Sequence, residues 1–198
     1  MIEQTAGVIL AGGKSRRFGT NKALADHDGA PIIQHIADRL TPLFSETLLV
    51  TNTPETYRFL PWPVVADRYP NCGPLAGIHA ALNTISASYA FICGCDMPLV
   101  DPRLIRLLCE LVNGYDVVLP WLAAGPEPLY AVYGRNGLAV IESSLLTGER
   151  KIGRVLDRLR VRRVSEDEIL QVLPDLTTFH NINHRHDLTR LAELVPGP

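Results

Sequence analysis

The chain has 198 residues, 46% of them hydrophobic, and a formal net charge of −2. That length supports one substantial core, so residues 1–198 are expected to form a single domain. A near-neutral balance without a long basic run excludes bulk nucleic-acid binding through a cationic face. The opening Met1-Ile-Glu-Gln-Thr-Ala-Gly-Val-Ile-Leu has no cationic start and too short an apolar run for a secretory leader. Nothing further on reaches membrane-spanning length, so a cytoplasmic protein with no membrane partner is expected. Cys72, Cys93, Cys95 and Cys109 are too few and too irregularly spaced for a disulfide framework or a paired zinc motif. Cys93 and Cys95 would share a strand face, and they read as buried reduced thiols rather than as a metal pair.

Short apolar runs rich in Val, Ile and Leu alternate with segments of helical period. This pattern predicts an α/β fold, a three-layer, Rossmann-like, mainly parallel sheet with helices on both faces. The first strand holds Val8-Ile-Leu and runs into a glycine loop. Pro31 opens a helix whose Ile32, Ile33, Ile36, Ala37 and Leu40 share one side, with Pro42 soon after its end. Residues 47–51 form the second strand and residues 64–66 a short third, ending at Asp67. Gly73-Pro-Leu-Ala-Gly77 leads into a helix through Leu82, and residues 89–95 form the most hydrophobic strand, with Asp96 at its end. Asp101 caps a helix carrying Leu104, Leu107, Leu108 and Leu111, which ends near Gly114. A strand over 116–119 follows, and a loop from Pro126 then feeds another strand. Helices over 138–146 and 152–159, a strand over 161–164 and a closing helix over 185–194 complete the pattern. No internal repeat or low-complexity linker interrupts it.

The chemistry concentrates in Val8 to Lys22. Adjacent Gly12 and Gly13 let backbone N–H groups approach an anion, while Lys14, Arg16, Arg17 and Lys22 bring four cations to the same loop, a combination that suits a triphosphate. The spacing is neither the Walker pattern nor the Gly-x-Gly-x-x-Gly of dinucleotide folds. A solvated surface loop would also accommodate these residues.

Ligands of open α/β sheets gather at the carboxyl ends of the strands, where this loop, Asn52, Asp67 and Asp96 all fall. Asp96 emerges from a buried strand as a hard oxygen ligand suited to Mg²⁺, which takes one or two carboxylates plus substrate phosphates; its alternative is a turn cap. Asn52 and Asp67 would equally serve to end their strands. Asn181 and Asn183, two apart, face the same way if extended, and equally suit Asx turns before a helix that Asp187 could cap. His184 and His186 lack further ligands and are left out of the site. Arg150, Lys151 and Arg154 form a basic patch that is either a solvated turn or a contact for a phosphate-bearing second substrate.

Leu10-Ala-Gly-Gly-x-Ser-Arg-Arg-Phe-Gly19 followed by Lys22 resembles the opening signature of nucleotidyltransferases with the glycosyltransferase-A-like fold, and within them that of the molybdenum cofactor guanylyltransferase family. Gly73-Pro-Leu-Ala-Gly77, Cys95-Asp-Met-Pro98, Gly148-Glu-Arg-Lys151 and Asn181-Ile-Asn183 recur in order, so the resemblance covers nearly the whole chain. It implies that GTP and molybdenum cofactor, or its molybdopterin form, join with release of pyrophosphate and with Mg²⁺ as cofactor. Cofactor-delivering and molybdoenzyme-maturation proteins are implied as partners. The N-terminal part would bind nucleotide and the C-terminal part the acceptor. By the same resemblance Leu10, Ala11, Gly12 and Gly13 line the nucleotide, Lys22 and Asn52 contact it, and Asp67, Gly73 and Gly77 border its pocket. Asp96 binds the metal, Arg16 faces the phosphates, and Asn181 and Asn183 lie by the reacting centre. Arg150 and Lys151 fall in the half expected to receive the pterin. Where many relatives carry His-Pro, this chain has Glu127-Pro128.

Overall fold

The computed structural model describes residues 1–12, 21–184 and 186–188. Gly13 and Arg16 of the expected site, with Lys14, Ser15 and Arg17, lie outside the described residues, as does most of the expected closing helix.

The apolar run after Gln4 forms β1 (Thr5–Leu10), buried at every position. A short hairpin follows, β2 (Asp26–His27) and β3 (Ala30–Pro31), turning at Asp28-Gly29 with both residues at positive φ. Asp-Gly is the sequence signal for such a turn. Helix α1 (Ile32–Leu40) leads to β4 (Thr47–Val50), β5 (Val64–Val65), α2 (Pro74–Thr84) and β6 (Tyr89–Gly94). Then come α3 (Pro102–Glu110), β7 (Val117–Leu122), β8 (Gly125–Pro126), β9 (Tyr130–Gly134), α4 (Leu138–Leu146), α5 (Ile152–Leu156), β10 (Val161–Ser165) and α6 (Glu166–Leu170).

The main sheet runs β10-β7-β9-β6-β1-β4-β5, with β8 paired to β7. Neighbours are parallel except that β9 is antiparallel to both β6 and β7. Two reversals cancel, so β6 and β7 run the same way. The carboxyl ends of β1, β4, β5, β6 and β7 therefore line one edge, where Asn52, Asp67 and Asp96 of the expected site fall.

Successive residues of a strand face opposite sides, and the core divides accordingly. Phe91, Val118 and Tyr130 pack with residues of α1, α3 and α6. Ala90, Val117 and Ala131 pack with residues of α2, α4 and α5. This is the expected three-layer, mainly parallel arrangement. Buried on both faces, its central strands read as continuous apolar runs. One close approach fixes a residue type: a Cβ on Gly7 would lie 2.4 Å from the Phe44 ring.

Several details differ from expectation. Strand β5 stops at Val65 and α5 at Leu156, each shorter than its apolar spacing suggested. Helix α6 was not anticipated, although Ser165 and Glu168 form a complete capping box whose Ser-x-x-Glu spacing is legible in the sequence. Among the described residues no helix is long and apolar enough to cross a membrane.

Candidate active site

The carboxyl ends of β1 and β6 bring two expected site residues into contact. Cys95 donates its backbone N–H to Leu10 O, 3.2 Å away, so the chain leaving β6 hugs the end of β1. Asp96 comes next, and its Oδ2 lies 2.7 Å from Lys22 Nζ. Lys22 stands on a short 3-10 turn, Lys22–Leu24, capped by Asn21, whose Oδ1 accepts from the Ala23 N–H at 3.2 Å. Asn21 also donates through Nδ2 to the hydroxyl of buried Tyr57 at 2.9 Å. Burial pushes the Tyr57 phenol up, against the opposing pull of Asn21. Asn21 and Tyr57 went unnoticed in the sequence; the cap residue directly before Lys22 was a local signal, whereas Tyr57 left none.

Asn52 and Asp67, expected separately, pair with each other beyond the ends of β4 and β5. Asn52 Nδ2 donates to Asp67 Oδ2 at 3.1 Å, and the Asp67 N–H donates to Asn52 Oδ1 at 2.9 Å. Burial raises the Asp67 carboxyl above the usual aspartate range, and the Asn52 hydrogen bond partly offsets that rise. A Cβ on Gly77, in the first turns of α2, would meet the Leu10 side chain at 3.2 Å and Asp67 Oδ1 at 3.7 Å. Leu10, Asp67 and Gly77 thus form one wall. Gly73 caps α2 at φ +70°, a backbone that side chains rarely adopt, one turn ahead of Gly77. Free N–H groups at such an end favour phosphate. Among the described residues nothing comes within 4 Å of where a Cβ on Gly12 would stand.

The Asn181 to Asn183 segment reaches the same centre from the far end of the chain. Buried Ile182 donates its N–H to Asp96 O at 2.8 Å, so the two asparagines flank the aspartate's own backbone. Thr178 secures the approach by donating to Leu99 O at 2.6 Å. Asp187 caps the N–H groups that precede the closing helix, as expected. From the helical residues 186–188 its Oδ2 reaches back to the N–H groups of Asn183 and His184, both at 2.8 Å, and these contacts hold its carboxyl below the usual range.

On the β9 side, burial and then the charge of Asp96 raise the carboxyl of Glu127. Glu149 accepts from the N–H groups of Arg150 and Lys151, both at 2.9 Å, and pairs with Arg154 at 3.1 Å. Arg154 is therefore engaged, while Arg150 and Lys151 make no ion pair among the described residues.

Among the described residues no three His, Cys, Asp or Glu side chains are grouped to hold a metal. The donor set fits Mg²⁺ bound through Asp96 and substrate phosphates rather than in an all-protein cage. Cys93 and Cys95 are free and buried beside it; burial pushes the Cys95 thiol up to about 12.

The α2 N-terminus, the Lys22–Asp96 pair and the Asn181–Asn183 segment lie toward one strand edge. The model of the MobA-like NTP transferase domain matches residues 7–164. The molybdenum cofactor guanylyltransferase of Desulfosudis oleivorans is 40% identical over 198 residues, covering 98% of this chain and 97% of its own. That of Syntrophotalea carbinolica is 35% identical, covering 96% and 91%. The crystal structure of molybdopterin-guanine dinucleotide biosynthesis protein A from Archaeoglobus fulgidus superposes with a TM-score of 0.85 at 28% identity, covering 96% of this chain and 97% of that one. The chain belongs to the MobA-like NTP transferase family and is a nucleotidyltransferase.

Proposed function

We propose that this protein transfers GMP from GTP to the terminal phosphate of molybdenum cofactor, or of its molybdopterin form, releasing pyrophosphate and yielding the guanine dinucleotide. The observation that carries this reading is the Lys22–Asp96 contact at 2.7 Å, with the Asn181–Asn183 segment hydrogen-bonded to the Asp96 backbone through Ile182. Full-length similarity to relatives named as molybdenum cofactor guanylyltransferases supplies the substrates.

Leu10, Ala11, Gly12 and Gly13 would line the nucleotide, with Asn52, Asp67, Gly73 and Gly77 shaping its pocket. Lys22 and Arg16 would hold the phosphates as charge builds on the departing pyrophosphate, so catalysis rests on positioning and electrostatics rather than on a protein nucleophile. Asp96 would hold Mg²⁺, which when bound neutralises nucleotide oxygens. Asn181 and Asn183 would orient the acceptor phosphate without adding charge. Such a reaction suits a cytoplasmic enzyme that exchanges its product with cofactor-delivering and molybdoenzyme-maturation proteins.

The deciding experiment is a pyrophosphate-release assay with molybdenum cofactor, Mg²⁺ and each nucleoside triphosphate in turn. Release with GTP and recovery of the guanine dinucleotide are expected. Release with CTP alone would make it a cytidylyltransferase on the same cofactor. Release only when a sugar phosphate replaces the cofactor would move it to the sugar-nucleotide enzymes.

A further inference from the structure

A cavity of about 510 Å³ opens between the ends of β7 and β10 and helix α5, separate from the Leu10–Asp67–Gly77 wall. Its volume is in the range of small-molecule sites. Trp121, Arg163, Asp157, Leu156, Leu159 and Pro126 line it. The Arg163 guanidinium lies 4.0 Å from the Trp121 ring centroid, so two flat π surfaces stand together at a hollow whose lining mixes polar and apolar groups. Asp157 and Arg163 make no ion pair among the described residues, which leaves an acceptor and a donor free at the rim.

Its position ties this cavity to the reaction. Gly94 donates to Leu129 O at 2.9 Å and Glu127 donates to Pro120 O at 3.0 Å, so the chain from Pro126 to Leu129 bridges β6 and β7. The register sets Trp121 two strands across from the end of β6, on the order of 10 Å from the level of Asp96. Pro126 belongs to the cavity wall, and its neighbour Glu127 lies in the field of Asp96.

We infer that this cavity receives the flat heterocyclic end of the acceptor, a 2-amino-4-oxo pterin, while its phosphate sits at Asp96; the inference rests on the proposed function for the acceptor's identity. The pterin face would stack on the Arg163 guanidinium, which Trp121 supports from its other side. Its 2-amino and ring N–H donors would meet the Asp157 carboxylate side by side, the pairing that a carboxylate makes best with a two-donor edge. Specificity for the acceptor then comes from residues remote from the glycine loop, and the position held by Glu127 in place of His is not needed to grip the ring.

The test is a titration of full-length protein with 6-hydroxymethylpterin phosphate, followed by the probe's own fluorescence anisotropy, with and without saturating GTP. Saturable binding that persists with GTP present is expected. Trp121→Ala and Asp157→Asn should each weaken it about tenfold, and Trp121→Phe should largely restore it, as expected for loss of one stacking or charge-assisted contact. In turnover the same variants should raise KM for the acceptor and leave KM for GTP unchanged. Displacement of the probe by GTP would place it in the nucleotide pocket and overturn the inference. So would equal affinity in wild type, Trp121→Ala and Asp157→Asn, or no binding to wild type. If the probe binds as described but no nucleotide releases pyrophosphate, the proposed function fails while the cavity assignment stands.

Discussion

Ile182 donates its backbone N–H to the carbonyl oxygen of Asp96 at 2.8 Å, joining the C-terminal Asn-Ile-Asn segment to the aspartate that ends β6. Ile182 itself is fully buried, so this junction is held by packing as well as by the hydrogen bond. Anything that moves the end of β6 also moves Asn181 and Asn183.

Asp96→Asn should keep the fold and lower kcat by about 10²-fold, the scale for losing one preorganised charge contact at a reacting centre. Circular dichroism and melting temperature check the fold, and pyrophosphate release checks the rate. Lys22→Ala should chiefly raise KM for GTP. Unchanged GTP affinity would remove Lys22 from the phosphate clamp.

Asn52→Ala removes both side-chain contacts to Asp67. A cost of about 1 kcal/mol in stability is expected, the usual worth of such hydrogen bonds in a part-exposed setting. KM for GTP should rise several-fold with KM for the acceptor unaffected. Parallel titrations of the two substrates would show whether the pair serves the nucleotide side alone.

Gly7→Ala should destabilise the protein by about 1–3 kcal/mol, as overpacking of a close-packed interior does. The new Cβ would stand 2.4 Å from a Phe44 ring atom, and Phe44 is itself stacked on Phe91 at 6.0 Å. Urea unfolding measures the loss. Phe44→Leu in the same background should recover part of it, and strict additivity of the two changes would argue that they do not meet.

Glu168 is held at about 2, against an ordinary 4.5, first by Arg162 and then by the N–H of Ser165. Its folded pKa is the lower one, so its contribution to stability is fully present above 4.5 and fades as pH falls toward about 2. Glu168→Gln should therefore flatten the dependence of melting temperature on pH across that window. An unchanged slope would show that the pairing is lost to solvent screening.

Legibility followed the range of the interactions. Helix α1 could be read from its one-sided isoleucines and α3 from its Asp101 cap, because spacing and capping are local properties. Asp96 was legible because a carboxylate closing a buried strand has few other reasons to be there. The pairing of Asn52 with Asp67 was not, since each residue alone looks like a strand end. Tyr57 under Asn21 was not legible either, because an aromatic in a polar segment carries no mark of what it touches. The cavity at Trp121 depends on β7, β10 and α5 meeting, a contact that no local pattern encodes.

The sequence by itself determined the layered α/β architecture, the glycine loop and the ordered motifs that identify the family, all of which follow from hydrophobic period and residue chemistry along the chain. Only the tertiary structure decided that β9 runs antiparallel between β6 and β7, that Lys22 meets Asp96, and that Ile182 docks on Asp96 rather than elsewhere. Those facts depend on register and on which buried faces pack together, and such energies belong to pairs of residues distant in the chain.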